Sequence, residues 1–159
     1  MSIGFEWRRI AGADIAGLTA KELNDLVSGG PEDELYRTGY DGVVVGALLG
    51  LGDGASRGAE AFVDMPADWD DDYLVGTIGA YAVREIAAAM LAAEWRTWLT
   101  AHFDGLMAGA EEAGYEKAVV GAAPDGPWAD HLLRCAGELT RFFGAAAAAE
   151  ESVVFSMSA

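Results

Sequence analysis

The residues best suited to binding or chemistry form an acidic stretch, DMPADWDDDY, which runs from Asp64 to Tyr73. Aspartate carboxylates bind hard cations such as Ca²⁺, and a cluster of them attracts basic partners. An exposed tryptophan among the acids would act as an anchor at a protein interface. Because aspartate also favours turns and helix starts, a solvated loop is the alternative. The stretch predicts a partner-binding surface that comprises Asp64, Asp68, Trp69, Asp70, Asp71 and Asp72.

An EF-hand calcium loop does not fit this acidic stretch. A loop that begins at Asp68 would have further carboxylates at Asp70 and Asp72. It would then need a glycine, where Tyr73 stands, and a bidentate glutamate at the twelfth position, where Gly79 stands. We therefore predict no dedicated metal site, and weak divalent binding by two or three of the aspartates is the alternative.

A glycine-rich segment, GLGDGASRG, partly matches the dinucleotide-binding pattern Gly-x-Gly-x-x-Gly/Ala. Gly50, Gly52 and Ala55 occupy its three key positions. That pattern holds a pyrophosphate where a strand of a parallel sheet turns into a helix. No such strand–turn–helix unit surrounds the segment, so we interpret it as a flexible loop.

His131 and Cys135 lie one helical turn apart, and a His–Cys pair can activate a thiolate. Because Cys135 falls on the apolar stripe of its helix, we expect it to be buried and inert. As the one cysteine of the chain, it allows neither an internal disulfide nor a cysteine-built zinc site. We expect His102 near the C-terminus of a helix. The motifs Gly-x-Ser-x-Gly and His-Glu-x-x-His are absent from the sequence, and we predict no catalytic residue, metal or cofactor.

Three tryptophans, Trp95, Trp98 and Trp128, lie on the two strongest helical patterns of the chain. Aromatic side chains on adjacent helices usually pack against each other in the core. We therefore expect core packing between those helices, and a ligand pocket between them is the alternative.

The composition indicates one acidic domain over residues 1–159. No apolar run reaches the roughly 20 residues that cross a bilayer, and MSIGFEWRRIAG lacks the apolar stretch of a signal peptide. We therefore expect a cytoplasmic protein. Acids outnumber bases 26 to 10, for a net charge of −16, which argues against nucleic acid and anionic membranes as partners. The acidity fits a solubility surface, a salty cytoplasm, or a surface complementary to a basic protein.

The beginning of the chain predicts a strand and then a capped helix. Apolar and polar residues alternate over Ser2–Ile10, which is the pattern of a strand. Thr19 and Glu22 have the spacing of a capping box, and the apolar stripe that follows predicts a helix over Ala20–Ser28. Further along, Val43–Gly54 fits either a buried strand or a short helix, and Glu60–Val63 predicts a short strand.

The rest of the chain predicts two long helices and a closing strand. Apolar residues recur at helical spacing over residues 81–103, as one helix or as two joined near Arg96. A turn, a short helix and a loop should follow, and then a helix over residues 127–149 and a strand over Ser152–Met157. The predicted fold class is α+β: a small sheet that includes the N- and C-terminal strands, with the helices on one of its faces.

The order of these elements resembles the YfbM-like family of small uncharacterised bacterial proteins. The resemblance lies in three parts: LTAKELNDLV after the first strand; IGAYAVREIAAAMLA with the later HFDGLMAGAEEAGYEK; and HLLRCAGELTRFFGAAAAAEESVVFSMS. They cover about half of the chain. The middle departs from the family, because YDGVVVGALLG contains no histidine or tryptophan where members often carry both. The resemblance implies an α+β fold and transfers no catalytic residue to this chain.

These observations favour a non-enzymatic interaction protein that binds a basic partner, as an immunity or antitoxin protein does. The acidity and the missing catalytic motifs support this hypothesis. The alternative is a small-molecule-binding protein or an enzyme with a carboxylate-lined or aromatic pocket.

Overall fold

The computed structural model describes residues 4–11, 15–54, 56–63, 67–69, 73–112 and 122–158, with 67–69 described through their backbone. It confirms the α+β prediction: the helices pack on an antiparallel sheet with the strand order β2-β1-β5-β4-β3. The described elements, in chain order, are β1 (Gly4–Ile10), α1 (Ala20–Ser28), a 3-10 turn (Glu32–Glu34), β2 (Leu35–Thr38), α2 (Asp41–Gly52), α3 (Arg57–Val63), β3 (Ala67–Trp69), β4 (Leu74–Ile78), α4 (Ala80–Ala92), α5 (Trp95–Glu112), α6 (Pro127–Ala148) and β5 (Ser152–Ser158).

Both terminal strands belong to the sheet, as predicted, and β1 and β5 pair along their length at its centre. Trp7 lies opposite Phe155 of β5 on one side and opposite Tyr36 of β2 on the other. The rings of Trp7 and Phe155 have centroids 5.6 Å apart, and Phe5 stacks on Phe155 at 5.8 Å. This aromatic row forms the floor of the main hydrophobic core, because side chains of alternate residues share one face of a sheet.

The sheet carries helices on both faces, so the prediction of helices on one face is wrong. The main core lies between one face and the helices α2 to α6. On the other face, Leu23 and Val27 of α1 pack with Val75 of β4 and Val154 of β5 in a second, smaller cluster. The strands β4 and β5 therefore bury side chains on both faces, which is why their apolar runs do not alternate as β1 does.

Helix α1 begins and ends at the predicted residues, and side-chain hydrogen bonds fix both ends. The backbone N–H of Glu22 donates to the Thr19 hydroxyl at 3.2 Å, and the N–H of Thr19 donates to the Glu22 carboxylate at 2.8 Å. At the other end, the guanidinium of Arg8 donates to the carbonyls of Val27, at 2.7 Å, and Pro31, at 2.6 Å. Arg8 is buried, and its guanidinium provides a donor to the Val27 carbonyl in the last turn of the helix and ties this end to the following turn at Pro31.

The apolar run that fitted either a strand or a helix is α2, and its glycines explain the packing. A Cβ on Gly42 would lie 2.7 Å from Cη2 of Trp7, and a Cβ on Gly46 would lie 2.7 Å from Cε1 of Phe62. Glycines four residues apart share one side of a helix, so α2 can lie directly on these rings.

One prediction in the middle of the chain is wrong, and another is confirmed in one of its two forms. Residues 60–63 belong to α3, a helix, because the Ser56 hydroxyl accepts the N–H of Ala59 at 2.9 Å and supports its first turn. The stretch 81–103 is two helices, as the alternative had it, and α4 and α5 separate at Ala93–Glu94, close to the predicted join near Arg96. Ala93 is extended, with φ −68° and ψ 133°, which ends the helical hydrogen bonding there.

Helix α5 continues to Glu112, through residues where a turn and a separate short helix were predicted. Leu106 and Ala110 continue the buried stripe of Leu99 and Phe103, and this burial outweighs the helix-breaking tendency of the Asp-Gly pair. His102 therefore lies inside α5 and not near its end, which corrects that prediction. The last helix and the closing strand agree with the predicted 127–149 and Ser152–Met157 within one residue at each end.

Candidate functional site

The predicted acidic surface lies largely outside the described residues. Asp68 and Trp69 fall in β3, an edge strand, opposite Val75 and Leu74 of β4. Asp64 and Asp70–Asp72 are not among the described residues, so this surface stays a prediction. Within the described ranges, no three His, Cys, Asp or Glu side chains are grouped so that they could hold a metal ion.

The glycine-rich segment is not a loop at its first positions. Gly50 and Gly52 lie in the last turn of α2, whereas Ala55 is outside the described residues. A Cβ on Gly52 would overlap the indole of Trp98, so this glycine permits the close approach of α5. A helical backbone here does not provide the strand-to-helix turn that holds a pyrophosphate.

Cys135 is buried, as predicted, in a small polar group between α6 and β2. Its sulfur lies 3.2 Å from the Tyr36 hydroxyl and 3.7 Å from that of Thr38. Burial raises the pKa of the Cys135 thiol, which keeps the thiol protonated and a poor nucleophile.

His131 makes hydrogen bonds away from the thiol. Its Nε2 lies 2.7 Å from a carboxylate oxygen of Asp41, and its Nδ1 lies 2.6 Å from Nη2 of Arg134. A guanidinium only donates, so Nδ1 accepts from Arg134 and the N–H on Nε2 donates to Asp41. Both ring nitrogens are therefore engaged, and the His–Cys pair seen in the sequence is not a catalytic dyad in this structure.

The three tryptophans pack against the main core, as expected. The rings of Trp95 and Trp98 meet edge to face at 6.1 Å, and Trp128 of α6 meets Phe103 of α5 at the same distance. All three are half-buried. The Trp128–Phe103 pair joins α6 to α5 through the edge-to-face geometry that aromatic pairs prefer, whereas Trp95 and Trp98 both belong to α5.

A surface cleft of about 580 Å³ lies between α2 and α5, and we name it the α2–α5 cleft. It was not predicted from the sequence. One wall is the outer side of α2, and Val63 at the end of α3 closes one edge. The described lining comprises Tyr40, Val43, Val44, Ala47, Gly50, Leu51, Val63, Gly105, Leu106, Gly109 and Ala110.

The walls of this cleft expose large apolar side chains. Val43 is 40% exposed, Leu51 is 49% exposed and Val63 is 54% exposed. Residues 43, 47 and 51 are spaced by four, so they share one side of α2, and a surface helix normally carries polar residues there. Beyond Asp41, however, α2 contains no polar residue. Contiguous exposed apolar surface of this kind marks a binding site more often than an ordinary surface.

The opposite wall has two glycines, Gly105 and Gly109, four residues apart in α5. A Cβ on either would meet no described atom within 4 Å, so alanine would fit at both positions. Glycine inside a helix costs about 0.5–1 kcal/mol relative to alanine. The packing around Gly42 and Gly46 requires glycine, but the described packing around this pair does not. Because these two residues have no side chains, the α5 side of the cleft is shallow and the backbone of α5 is accessible.

A second cavity of about 280 Å³ lies between α2, α3 and the sheet. It shares Val43, Ala47 and Val63 with the α2–α5 cleft, so the two spaces are neighbours. Trp7 contributes to its lining, and the indole N–H of this fully buried residue has no hydrogen-bond partner among the described residues. An unpaired buried donor destabilises the fold unless something accepts from it.

Two exposed glutamates lie one helical turn from residues of the cleft lining. Glu60 precedes Val63 by three residues and Glu112 follows Gly109 by three, so each lies next to the cleft on the surface of its helix. Both are exposed. No lysine or arginine belongs to the described lining. The cleft is thus an apolar surface with acidic neighbours in a chain of net charge −16.

Comparison with family models, with curated proteins and with solved structures finds no match to this chain. The resemblance to the YfbM-like family therefore stays a prediction. Among the described helices, none combines the length and the apolar character needed to cross a membrane.

Two signals in the sequence could have located the cleft. One is the absence of polar residues from the segment 42–52. The other is the pair of glycines, Gly105 and Gly109, four residues apart. Both depend on knowing that these segments are helical.

Proposed function

We propose that this chain is a binding protein without catalytic activity and that its partner is a basic protein. The observation that carries the proposal is the α2–α5 cleft, an exposed apolar surface on a protein of net charge −16. Apolar contacts supply affinity at such a surface, and the acidic field speeds the encounter with a positively charged partner and disfavours a negatively charged one. Nucleic acid and anionic membranes are disfavoured for the same reason.

The acidic stretch belongs to this proposal as a source of attraction. Asp64, Asp68 and Asp70–Asp72 add five carboxylates within nine residues, and Trp69 is a contact residue. The role that fits is neutralisation of a basic protein in the cytoplasm, as immunity and antitoxin proteins perform it.

Affinity capture with a cleft variant as the control tests the proposal. The wild-type protein and the double variant Val43→Asp/Leu51→Asp are immobilised and exposed to lysate at moderate salt. We expect a basic protein that binds the wild type and is lost from the variant, and purified partner should then bind in solution. Recovery of the same proteins by both, or of no basic protein, contradicts the proposal. A third protein with Leu91→Asp, at a position that is 80% exposed and outside the described cleft lining, controls for the added charge.

A small apolar ligand is the second candidate function, and the cavities favour it. The α2–α5 cleft, at about 580 Å³, falls within the roughly 300–1,000 Å³ of ligand pockets. The neighbouring cavity, at about 280 Å³, is lined mainly by apolar residues, which include Phe5, Phe62 and Phe155. Thermal-shift measurements with a set of neutral apolar metabolites test this. A rise of several degrees that Val43→Asp abolishes would favour the ligand over the protein partner.

A further inference from the structure

We infer that the α2–α5 cleft accepts one amphipathic helix of the partner, with its apolar side in the cleft and lysine or arginine along its borders. This inference rests on the proposed function, because it specifies which part of a basic protein is bound. The exposed side chains, the two glycines and the surrounding charge each support it.

The shape of the cleft fits a helix. Val43, Ala47 and Leu51 lie along one side of α2 over nine residues, a rise of about 12 Å, or two helical turns. The facing wall is lowered at Gly105 and Gly109, where no described atom fills the space of a side chain. Small residues at a four-residue spacing let another helix approach closely. Binding of a helix between two helical walls is a common recognition mode, and its anchors recur at i, i+3, i+4 and i+7.

The charge selects a basic occupant. Glu60 and Glu112 are exposed, and each lies three residues along its helix from a residue of the cleft lining, Val63 and Gly109 respectively. Lysine or arginine on the flanks of a bound helix would face these carboxylates. A second copy of this chain would bring its own charge of −16 and its own Glu60 and Glu112 to the contact, so self-association is disfavoured.

Peptides test the occupant. The probe is a fluorescent synthetic helix of about 18 residues, made of leucine at i, i+3, i+4 and i+7 with lysine elsewhere, long enough to exceed the walls of the cleft. One control peptide has the same composition in scrambled order, and another has glutamate in place of lysine. At physiological salt we expect the amphipathic basic peptide to bind at least about ten-fold more tightly than either control. Equal affinity for the ordered and scrambled peptides would overturn the inference.

Variants of α5 test the site. Gly105→Leu places a side chain in the cleft and should weaken the amphipathic peptide at least about ten-fold. Gly144→Leu is the matched control, because Gly144 is an exposed glycine of α6 whose Cβ also meets no described atom within 4 Å. It should leave the affinity unchanged. Gly105→Ala is a second variant that is not expected to disturb folding. It should raise the melting temperature and weaken binding of the amphipathic peptide by a smaller factor than Gly105→Leu does. If the Gly105→Leu variant is folded and binds the amphipathic peptide as tightly as the wild type, the helix binds elsewhere and the inference is overturned.

Binding of a captured natural partner distinguishes the proposed function from the inference that a helix binds in the cleft. If a captured basic protein binds Gly105→Leu as strongly as the wild type, the proposed function stands and the helix-in-cleft inference fails. Size-exclusion chromatography at rising protein concentration provides the remaining outcome. A dimer that Gly105→Leu abolishes would make a second copy the occupant and would overturn the inference as well.

Discussion

The hydroxyl of Tyr36 lies 3.2 Å from the sulfur of Cys135 and donates a hydrogen bond to the carboxylate of Glu138 at 3.0 Å. A phenol has one proton to donate, so the S–H of Cys135 donates to the oxygen of Tyr36. This chain of hydrogen bonds joins β2 to α6 and needs protons on both the phenol and the thiol. Burial, together with the Cys135 contact, raises the pKa of Tyr36, and burial raises the pKa of Cys135.

The protein should lose stability in alkali because of this pair. In the unfolded chain the thiol loses its proton near pH 9.0 and the phenol near pH 10.0, whereas the folded protein keeps both protons longer. The unfolded state then binds fewer protons, so the free energy of unfolding falls as the pH rises above about 9. Below that pH the contribution is fully present.

Urea denaturation from pH 7 to pH 11 measures this effect. Tyr36→Phe should flatten the decline above pH 10, whereas Tyr81→Phe should not, since Tyr81 is 58% exposed. Parallel declines in the wild type and in Tyr36→Phe would show that Tyr36 does not cause the loss.

The thiol of Cys135 should react slowly in the folded protein. It is 4% exposed and its pKa is raised, so both access and thiolate content are low. We expect a chromogenic disulfide reagent to react at least about 100-fold more slowly with native than with guanidinium-unfolded protein. The double variant Thr97→Cys/Cys135→Ser, with a thiol at an exposed position of α5, is the control and should react rapidly when folded. A native Cys135 that reacts as fast as this control is not buried in solution.

Gly58→Ala should destabilise the protein by about 1–3 kcal/mol through overpacking. A Cβ at this position of α3 would overlap the carbonyl oxygen of Glu85 in α4 and lie 2.8 Å from Cβ of Ala89. The same substitution at Gly144, where the space is open, should stabilise by about 0.5–1 kcal/mol. The denaturant midpoints of the two variants give the comparison, provided that the free energy of unfolding depends on denaturant concentration with the same slope in both. If both substitutions stabilise the protein, or both destabilise it, the close contact between α3 and α4 is contradicted.

Arg8→Lys should destabilise the protein by about 1.5–3 kcal/mol, the usual value for a hydrogen bond to a charged group. The guanidinium of Arg8 reaches the carbonyls of Val27 and Pro31 together, and a single ammonium cannot reproduce this fork. Arg96→Lys is the control, because Arg96 makes an exposed ion pair with Asp130 at 3.4 Å and should change stability by less than about 0.5 kcal/mol. Chemical denaturation of both variants at pH 7 gives the comparison.

His131 should carry its proton on Nε2 when it is neutral. The guanidinium of Arg134 occupies Nδ1 as a donor, and the carboxylate of Asp41 accepts from Nε2. Long-range ¹H–¹⁵N correlation spectra distinguish the two tautomers by the nitrogen shifts. Arg134→Ala removes the constraint and should allow a mixture, whereas a pure Nδ1–H form in the wild type would contradict the geometry.

The sequence predicted the elements whose signals are local. The capping box of Thr19 and Glu22 and the proline at 127 place helix starts through side-chain chemistry within one turn, and the alternation before Ile10 marks a strand. The elements between residues 43 and 63 were missed or left open because contacts between distant segments decide them. Gly46 and Gly58 look like helix breakers in isolation, and only the ring of Phe62 and the backbone of Glu85 show why helices tolerate them there.

The site was less predictable than the fold for a related reason. The acidic stretch is conspicuous in the sequence. The α2–α5 cleft, in contrast, consists largely of valine, leucine and glycine, residue types that predict a buried core. Whether Val43 and Leu51 face the core or the solvent depends on where α5 lies, and a single helix pattern does not contain that information.

The pairing of β1 with β5 has a consequence during synthesis on the ribosome. Trp7 emerges early, but Phe155 opposite it is translated only after all the helices described here. Until then β1 lacks the neighbour that completes the middle of the sheet, and its aromatic rings remain available to chaperones. Completion of the sheet therefore requires a closure between distant segments, and closures of this kind slow folding.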